Sequence, residues 1–275
     1  MACRSSDYGN GCRIISADTD TGFAASLPCQ TDDCFCLAAE LGPSGLAVRA
    51  QLTTMADPNT ELEKTYRRRF DADSEYRNAV WRVLVREFFS RYIQASDHVL
   101  DLGCGYGQFI NQIQCSSRYA MDLNPASRRL LQSGVVFFEQ DCSIRWPLDS
   151  DTLDLVFTSN FFEHLPTKMH LATTLDEVHR CLRPGGRLIA LGPNAKCIPG
   201  AYWDFLDHHI PLTERSLQES LELSGFRSIE VIGRFLPYTM LNTPRFPMQF
   251  VSLYLKLRWL WRWFGAQFLV IVEKA

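Results

Sequence analysis

The residues with the clearest potential for chemistry are an aspartate and three glycines that follow an apolar run. Asp101 lies near the end of that run, and glycines stand at alternate positions directly after it, from Gly103 to Gly107. Such glycines let the backbone turn tightly and approach a bound cofactor. In a dinucleotide fingerprint the third glycine would come one position later, where this chain has Gln108. The spacing therefore predicts a cofactor loop of a different kind.

The charge of Asp101 indicates which cofactor this loop would select. A carboxylate at this place repels a pyrophosphate but attracts the ammonium of a cationic ligand. S-adenosylmethionine (SAM) carries an ammonium, a sulfonium and a carboxylate, and its carboxylate suits backbone N–H groups at the start of a following helix. The sequence thus predicts SAM as the cofactor, with Asp101 at its amino end.

Two further apolar runs end in carboxylates. The second run ends at Asp122, and the third is followed by Asp141. We expect Asp122 to bind the ribose diol, and Asp141 to accept from the adenine amino group beside the backbone N–H of Cys142. The predicted cofactor-binding residues are Asp101, Gly103, Cys104, Gly105, Gly107, Asp122, Leu123, Asp141, Cys142, Asn160 and Phe161.

Four more strand-like runs follow, at 153–160, 182–191, 228–234 and 267–272. With the glycine loop and the two carboxylates, their order resembles the class I SAM-dependent methyltransferases from about Ser96 onward. The resemblance implies an α/β, Rossmann-like fold, which is a seven-stranded, mostly parallel sheet with helices on both faces and an antiparallel last strand. It also implies an enzyme that transfers a methyl group from SAM.

The sequence divides into three predicted parts. Residues 1–54 are polar and lack helical or strand periodicity, so we expect a poorly ordered N-terminal extension. Residues 55–95 contain an apolar stripe of helical spacing and are predicted to form a helical lid. The resemblance implies that Tyr66, in this lid, contacts the cofactor. Residues 96–275 form the SAM-binding domain, with a helical insert at about 235–266.

Composition limits the classes of function. With 46% apolar and 21% charged residues and a net charge of −3, the chain lacks the basic surface of a nucleic-acid binder. It has no uncharged apolar run of roughly 18 residues, the length that spans a membrane. Of its ten cysteines, those near the N-terminus lack paired C-x-x-C spacing. We therefore expect a cytoplasmic protein, with a zinc site and a disulfide framework as alternatives.

Two sets of histidines are candidates for removing a proton from the acceptor. His164 follows the fourth strand, at the edge where open α/β sheets bind ligands. Asp207, His208 and His209 lie in a loop after the fifth strand, where the aspartate would orient either histidine as a general base. Two alternatives stay open: the histidines only pack in the fold, or Asp204, Asp207 and a histidine bind a divalent metal. The preferred interpretation has no metal.

The loop at 202–213, together with an aromatic and basic segment at 250–264, resembles bacterial methyltransferases of polysaccharide and glycolipid assembly. This implies a small-molecule or glycan acceptor, with a sugar hydroxyl as the methylated group. A quinone-type lipid phenol or another small metabolite is the alternative. A SAM-binding scaffold without catalysis is a different class of function, and a dinucleotide oxidoreductase is disfavoured by the acidic residue and the early third glycine. The sequence does not determine the oligomeric state.

The segment at 250–264 interleaves Trp259, Trp261 and Trp263 with basic residues. Aromatic residues with basic neighbours are typical of a helix that lies in a membrane interface. We therefore predict peripheral contact with the inner face of a membrane, with a core or subunit contact as the alternative. Alternate residues lie about 200° apart on a helix, so Trp261 is expected to face away from the other two tryptophans.

Overall fold

The computed structural model describes residue 64, residues 74–238 and residues 245–275. The N-terminal extension predicted at 1–54 lies outside the described residues, and so does Tyr66. Of the lid predicted at 55–95, a helix at Ser74–Glu87 is described.

The described residues form one seven-stranded sheet, in the strand order β3-β2-β1-β4-β5-β7-β6. The strands are β1 His98–Leu102, β2 Ser117–Asp122, β3 Val135–Glu139, β4 Leu153–Ser159, β5 Leu182–Pro193, β6 Phe226–Ile232 and β7 Gln267–Lys274. The first five strands pair in parallel, and β7 pairs antiparallel with both β5 and β6. This confirms the predicted fold class. The strand order reverses between β1 and β4, and the crevice at their carboxyl ends is where such sheets bind ligands.

Helices cover both faces of the sheet. The α-helices of the described part are α1 Ser74–Glu87, α2 Lys168–Cys181, α3 Glu214–Leu223, α4 Met248–Lys256 and α5 Arg258–Phe264. Buried side chains of α1, α4 and α5 share one hydrophobic cluster on one face. Those of α2 and α3 share a second cluster on the other face.

The start of α3 follows from local sequence. The Thr213 side chain accepts a hydrogen bond from the Ser216 backbone N–H, and the Ser216 hydroxyl accepts one from the Thr213 N–H. This reciprocal cap satisfies donors that a helix start leaves unpaired. Leu217 and Leu221, one turn apart, face the core.

The connection after the glycine loop differs from the sequence-based expectation. Instead of an α-helix, it contains only the 3-10 helix Ile110–Gln112, and the next crossover contains only the 3-10 helix Pro125–Leu130. The N–H groups of Gly103 and Cys104 donate to the Met121 carbonyl, and that of Gly105 donates to the Asp122 carboxylate.

The helical insert predicted at about 235–266, called the closing insert below, does not form one continuous helix. It is broken at Leu257 into α4 and α5. Trp261 is 4% exposed and donates from Nε1 to the Tyr254 carbonyl, whereas Trp259 and Trp263 are 61% and 75% exposed. The expectation that Trp261 faces away from its two neighbours is confirmed. None of the helices in the described ranges has the length and apolar character needed to cross a bilayer.

Candidate active site

A cavity of about 310 Å³ opens at the carboxyl ends of β1, β2 and β4. All the predicted cofactor-binding residues line it except Gly107, which packs instead against Leu131 and Asn111. Helix α1 contributes Trp81 and Arg77 to the wall. The cavity thus collects side chains that are far apart in the sequence.

Asp122, at the end of β2, braces the glycine loop. One carboxylate oxygen accepts from the Gly105 backbone N–H at 2.8 Å, and the other accepts from the Asn124 N–H at 2.8 Å. A carboxylate oxygen has two lone-pair sites, so each can accept a second hydrogen bond from a ligand hydroxyl. Asp122 therefore suits a diol, but it also shapes the loop.

Asp101, on β1, is almost completely buried, and its Oδ2 accepts from the Ile110 backbone N–H at 3.3 Å. Burial raises the pKa of Asp101 to about 8; the Ile110 N–H opposes this rise and the nearby Asp122 charge adds to it. A buried carboxyl without a cation nearby favours its neutral form. An ammonium group beside it would stabilise the ionised form, which is the role predicted for Asp101 at the amino end of SAM.

The adenine end of the predicted site lies after β3. The Asp141 Oδ1 atom accepts from both the backbone N–H and the hydroxyl of Ser143, each at 2.8 Å. Cys142 is buried, its Sγ lies 3.3 Å from the Thr174 hydroxyl, and its carbonyl accepts from Trp146 Nε1. These contacts fix the turn that presents Asp141 and Cys142 to the cavity.

Two residues after β4 form another part of the wall. Asn160 has a positive φ of 50°, and its backbone N–H donates to the Leu191 carbonyl at 2.8 Å. This bend directs the chain so that the Phe161 ring lies against Gly103. Leu123, from the end of β2, completes the wall and is half exposed.

A group of ionisable side chains also lines the cavity. His164 Nδ1 lies 3.0 Å from the Asp207 backbone carbonyl and 3.2 Å from its Oδ2. Since a carbonyl oxygen only accepts, Nδ1 carries the proton and Nε2 is the basic nitrogen of the neutral imidazole. Glu163 Oε1 lies 4.0 Å from Nε2, and the His208 ring is 4.9 Å from the His164 ring between centroids.

The electrostatics of this group favour a basic imidazole. Burial lowers the pKa of His164, but the hydrogen bond to Asp207 and the charges of Glu163 and Asp207 outweigh it, so the pKa is raised above its ordinary value. His208 is buried and stacks on Phe205, with centroids 4.9 Å apart. The two carboxylates therefore raise the basicity of His164, and the stacking on Phe205 positions the His208 ring beside it.

Backbone hydrogen bonds bring the two histidine sets together. The His209 and Ile210 N–H groups donate to the Glu163 carbonyl at 2.8 and 3.2 Å, which ties the 207–210 loop to the turn after β4. Sequence analysis treated His164 and the Asp207 loop as alternatives, and the structure joins them into one group. The His209 side chain is exposed and does not line the cavity, and Asp204 is exposed and outside it too.

Sequence reasoning missed Glu163. This residue is only 2% exposed and lines the cavity beside His164. One signal was available, because an acidic residue directly precedes a histidine in a turn that follows a strand. A single glutamate in such a turn is usually solvated, and only the fold shows that this one is enclosed.

Part of the chain is similar to known proteins. Residues 100–190 match a family model described as a methyltransferase domain. The matched segment runs from β1 into β5 and includes the glycine loop, Asp122 and His164, so this part of the chain is similar to methyltransferase domains.

Particular relatives are similar over part of the chain. A malonyl-[acyl-carrier protein] O-methyltransferase from Dechloromonas aromatica is 31% identical over 147 residues, which are 50% of this chain and 54% of that protein. A demethylmenaquinone methyltransferase from Lactiplantibacillus plantarum is 25% identical over 168 residues, 55% of this chain and 69% of that protein. A SAM-dependent methyltransferase structure from Archaeoglobus fulgidus has a TM-score of 0.55 and 19% identity, and covers 79% of this chain and 100% of that one. The first match spans about half the length of the relative, and the structural match shows the fold.

The residues present fit SAM by the chemistry of their donor atoms. Asp101 offers a buried carboxylate for the ammonium, and Asp122 and Asp141 offer acceptors for the diol and the adenine amino group. Aromatic walls from Trp81 and Phe161 enclose the space between them. The carboxylates together also favour the positive sulfonium over a pyrophosphate.

Replacing Gly103 by alanine is expected to lower both stability and SAM affinity. The φ of Gly103 is +67°, which costs an L-residue about 1–2 kcal/mol. A Cβ there would also lie 2.3 Å from the Phe161 ring, so the cavity wall would have to move. Gly185→Ala is the matched control, because its φ is +76° but nothing lies within 4 Å of its added Cβ. Urea unfolding and SAM titration of both variants measure the difference; equal stability losses with unchanged SAM affinity would contradict it.

Proposed function

We propose that the protein transfers the methyl group of SAM to an oxygen atom of its acceptor, and that this oxygen belongs to a sugar hydroxyl of a glycan or glycolipid. One observation carries the proposal of methyl transfer to oxygen: the three cofactor carboxylates and the His164–Asp207 pair line a single cavity. A hydroxyl is a poor nucleophile until its proton is removed, and a fixed imidazole beside the cofactor supplies that step.

In this proposal some residues of the chain position the reactants, and His164 removes a proton. SAM supplies an electrophilic methyl group when it is bound. Asp101, Asp122 and Asp141 would hold its ammonium, ribose and adenine groups in place, and the aromatic walls would exclude water from the reacting atoms. Nε2 of His164 accepts the hydroxyl proton, while Asp207 holds the Nδ1–H side of the ring. Positioning supplies most of the rate, and the base contributes about 10²- to 10⁴-fold.

The known relatives give more support to methyl transfer to oxygen than to a sugar hydroxyl as the acceptor. The Dechloromonas relative is by name an O-methyltransferase, which favours oxygen as the methylated atom. The Lactiplantibacillus relative acts by name on demethylmenaquinone, which favours the alternative of a quinone-type lipid. A screen with radiolabelled SAM against lipid-linked glycans, free glycans and quinols tests the proposal. Label in a glycan fraction supports a sugar hydroxyl, and label only in a quinol supports the alternative.

A surface on the closing insert favours an acceptor that is attached to a lipid. We infer that this surface, Trp259, Arg262 and Trp263, contacts an anionic bilayer. The two indoles are exposed, and together with the guanidinium they line one shallow depression. Indoles prefer the interface between hydrocarbon and water, and a cation adds attraction to anionic headgroups. Arg258 does not belong to this surface, because it pairs with Glu230 at 2.8 Å.

Co-sedimentation with vesicles of phosphatidylserine and phosphatidylcholine is expected at low salt and is expected to weaken as salt rises. Arg262→Gln should reduce binding about fivefold, since one basic residue near a charged surface contributes about 1 kcal/mol. Replacing Trp259 and Trp263 together by serine should abolish it. Arg258→Gln is the matched control and should bind as the wild type does. Failure of the wild type to bind at low salt would leave a soluble acceptor as the better proposal.

A further inference from the structure

We propose that Glu163, His164 and His208 form a binding site for one divalent transition-metal ion of the zinc or cobalt type. Each residue offers one ligand atom, and these atoms all lie within 4.8 Å of one another. The site lies inside the cavity that the glycine loop also lines. Two imidazoles and one carboxylate are a donor set that zinc and cobalt accept, and three protein ligands leave a coordination position open.

The separations require little movement to close around an ion. His164 Nε2 and Glu163 Oε1 lie 4.0 Å apart. Ligands bound to four-coordinate zinc at about 2.0–2.1 Å lie about 3.3 Å from each other. This pair therefore needs less than about 1 Å of movement, and a separation of 4.8 Å, the upper limit for the three ligand atoms, would need about 1.5 Å.

Independent support comes from the contacts behind the ligands. A histidine that binds a metal through one nitrogen almost always donates from the other to a carboxylate or a backbone carbonyl. His164 Nδ1 does both, at 3.0 Å from the Asp207 carbonyl and 3.2 Å from its carboxylate. This arrangement fixes the tautomer and presents Nε2, the nitrogen nearer to Glu163, as the ligand.

The other two ligands are held before any ion arrives. The Glu163 backbone carbonyl accepts from the His209 and Ile210 N–H groups, so the turn and the loop are joined directly beside the site. His208 is 5% exposed and packs between Phe205 and Tyr202. A site whose ligands are already oriented loses less entropy on binding.

A bound ion would have a defined effect on the proposed reaction. It would occupy the electron pair of His164 Nε2, which otherwise takes the proton from the hydroxyl that is methylated. A zinc-type ion would therefore inhibit methyl transfer. This consequence, unlike metal binding itself, rests on the proposed function. It makes the metal-bound protein and the proton-accepting protein two exclusive forms of the same site.

Cobalt titration of the full-length protein tests the site directly. Co²⁺ bound to nitrogen and oxygen ligands gives visible absorption, and the difference between wild type and Glu163→Gln separates this site from the ten cysteines. We expect one Co²⁺ per chain in that difference spectrum. The signal should be lost in His208→Gln, weakened about 10- to 100-fold in Asp207→Asn, and retained in His209→Ala. Melting curves establish that each variant is folded.

The outcomes separate the metal site from the proposed function. Loss of the cobalt signal in folded Glu163→Gln and His208→Gln, with zinc inhibition of wild-type methyl transfer, supports both parts. Equal cobalt binding by wild type and Glu163→Gln overturns the site. A rise in turnover on zinc addition overturns the inhibitory role. If no acceptor is methylated under any condition, the proposed function fails while the cobalt result still decides the site.

Discussion

Replacing His164 by glutamine is expected to lower turnover by about 10²- to 10⁴-fold while SAM affinity is retained. Glutamine keeps a donor for the Asp207 carbonyl but has no basic nitrogen to take the acceptor proton. The assay is methyl transfer in protein freed of metal ions with a chelator, with SAM binding measured separately by calorimetry. A fall in turnover without a fall in SAM affinity is the signature of a group that acts in the transition state.

The pH dependence of turnover gives an independent measure of the same pair. Because the pKa of His164 is raised, its imidazole is protonated at low pH and becomes a base only as pH rises through the raised value. The acidic limb of the rate profile should therefore lie above the ordinary histidine value of about 6.5. Asp207→Asn removes the charge that raises this pKa, so the limb should move to lower pH.

A matched variant separates the two histidine hypotheses. His209 is exposed, and its side chain lies outside the cavity, so His209→Ala should keep wild-type turnover and the wild-type pH profile. Wild-type turnover in His164→Gln would mean that positioning alone drives the reaction. Loss of turnover in His209→Ala instead would restore the alternative that the structure disfavours.

Replacing Asp101 by asparagine is expected to weaken SAM binding by about 2–4 kcal/mol, or about 30- to 700-fold. The variant keeps an oxygen that can accept from the Ile110 N–H but loses the negative charge opposite the ammonium. Since burial raises the pKa of Asp101 to about 8, SAM should drive off a proton when it binds near pH 7. Calorimetry in buffers of different ionisation enthalpy should detect that proton in the wild type and not in the variant.

Asp101→Asn should weaken SAM binding, but it should raise the stability of the ligand-free protein at high pH. A carboxyl whose pKa is raised from 3.8 to about 8 by folding stabilises the native state fully below pH 4, and loses that contribution as pH rises through 8. Asp101→Asn should therefore melt higher than the ligand-free wild type above pH 8. Asp122→Ala is the contrasting variant, because it removes the brace on Gly105 and Asn124 and should lower both stability and SAM affinity. A lower melting temperature for Asp101→Asn would contradict the burial argument.

The strands and the cofactor edge were predictable because their signals are local. Each strand is a short apolar run, and Asp101 and Asp122 stand at strand ends whose meeting point the topology dictates. The Thr213 cap and the burial of Trp261 follow from helical spacing and capping alone.

What the sequence did not predict depends on contacts between distant segments. The pairing of His164 with Asp207 joins residues 43 positions apart, and no periodicity encodes it. Glu163 is buried, and the 207–210 loop that hydrogen-bonds to its backbone carbonyl lies far along the chain. The 3-10 helix at Ile110–Gln112 and the break between α4 and α5 at Leu257 are further features that helical propensity alone does not predict.

The central claim is that this cavity binds SAM, and equilibrium binding of radiolabelled SAM to the full-length protein tests it most directly. Wild type should bind one SAM per chain, S-adenosylhomocysteine should compete, and NAD should not. Asp101→Asn should bind SAM about 30- to 700-fold more weakly while remaining folded. Binding of SAM that is equal in wild type and Asp101→Asn, or competition by NAD, would contradict the account.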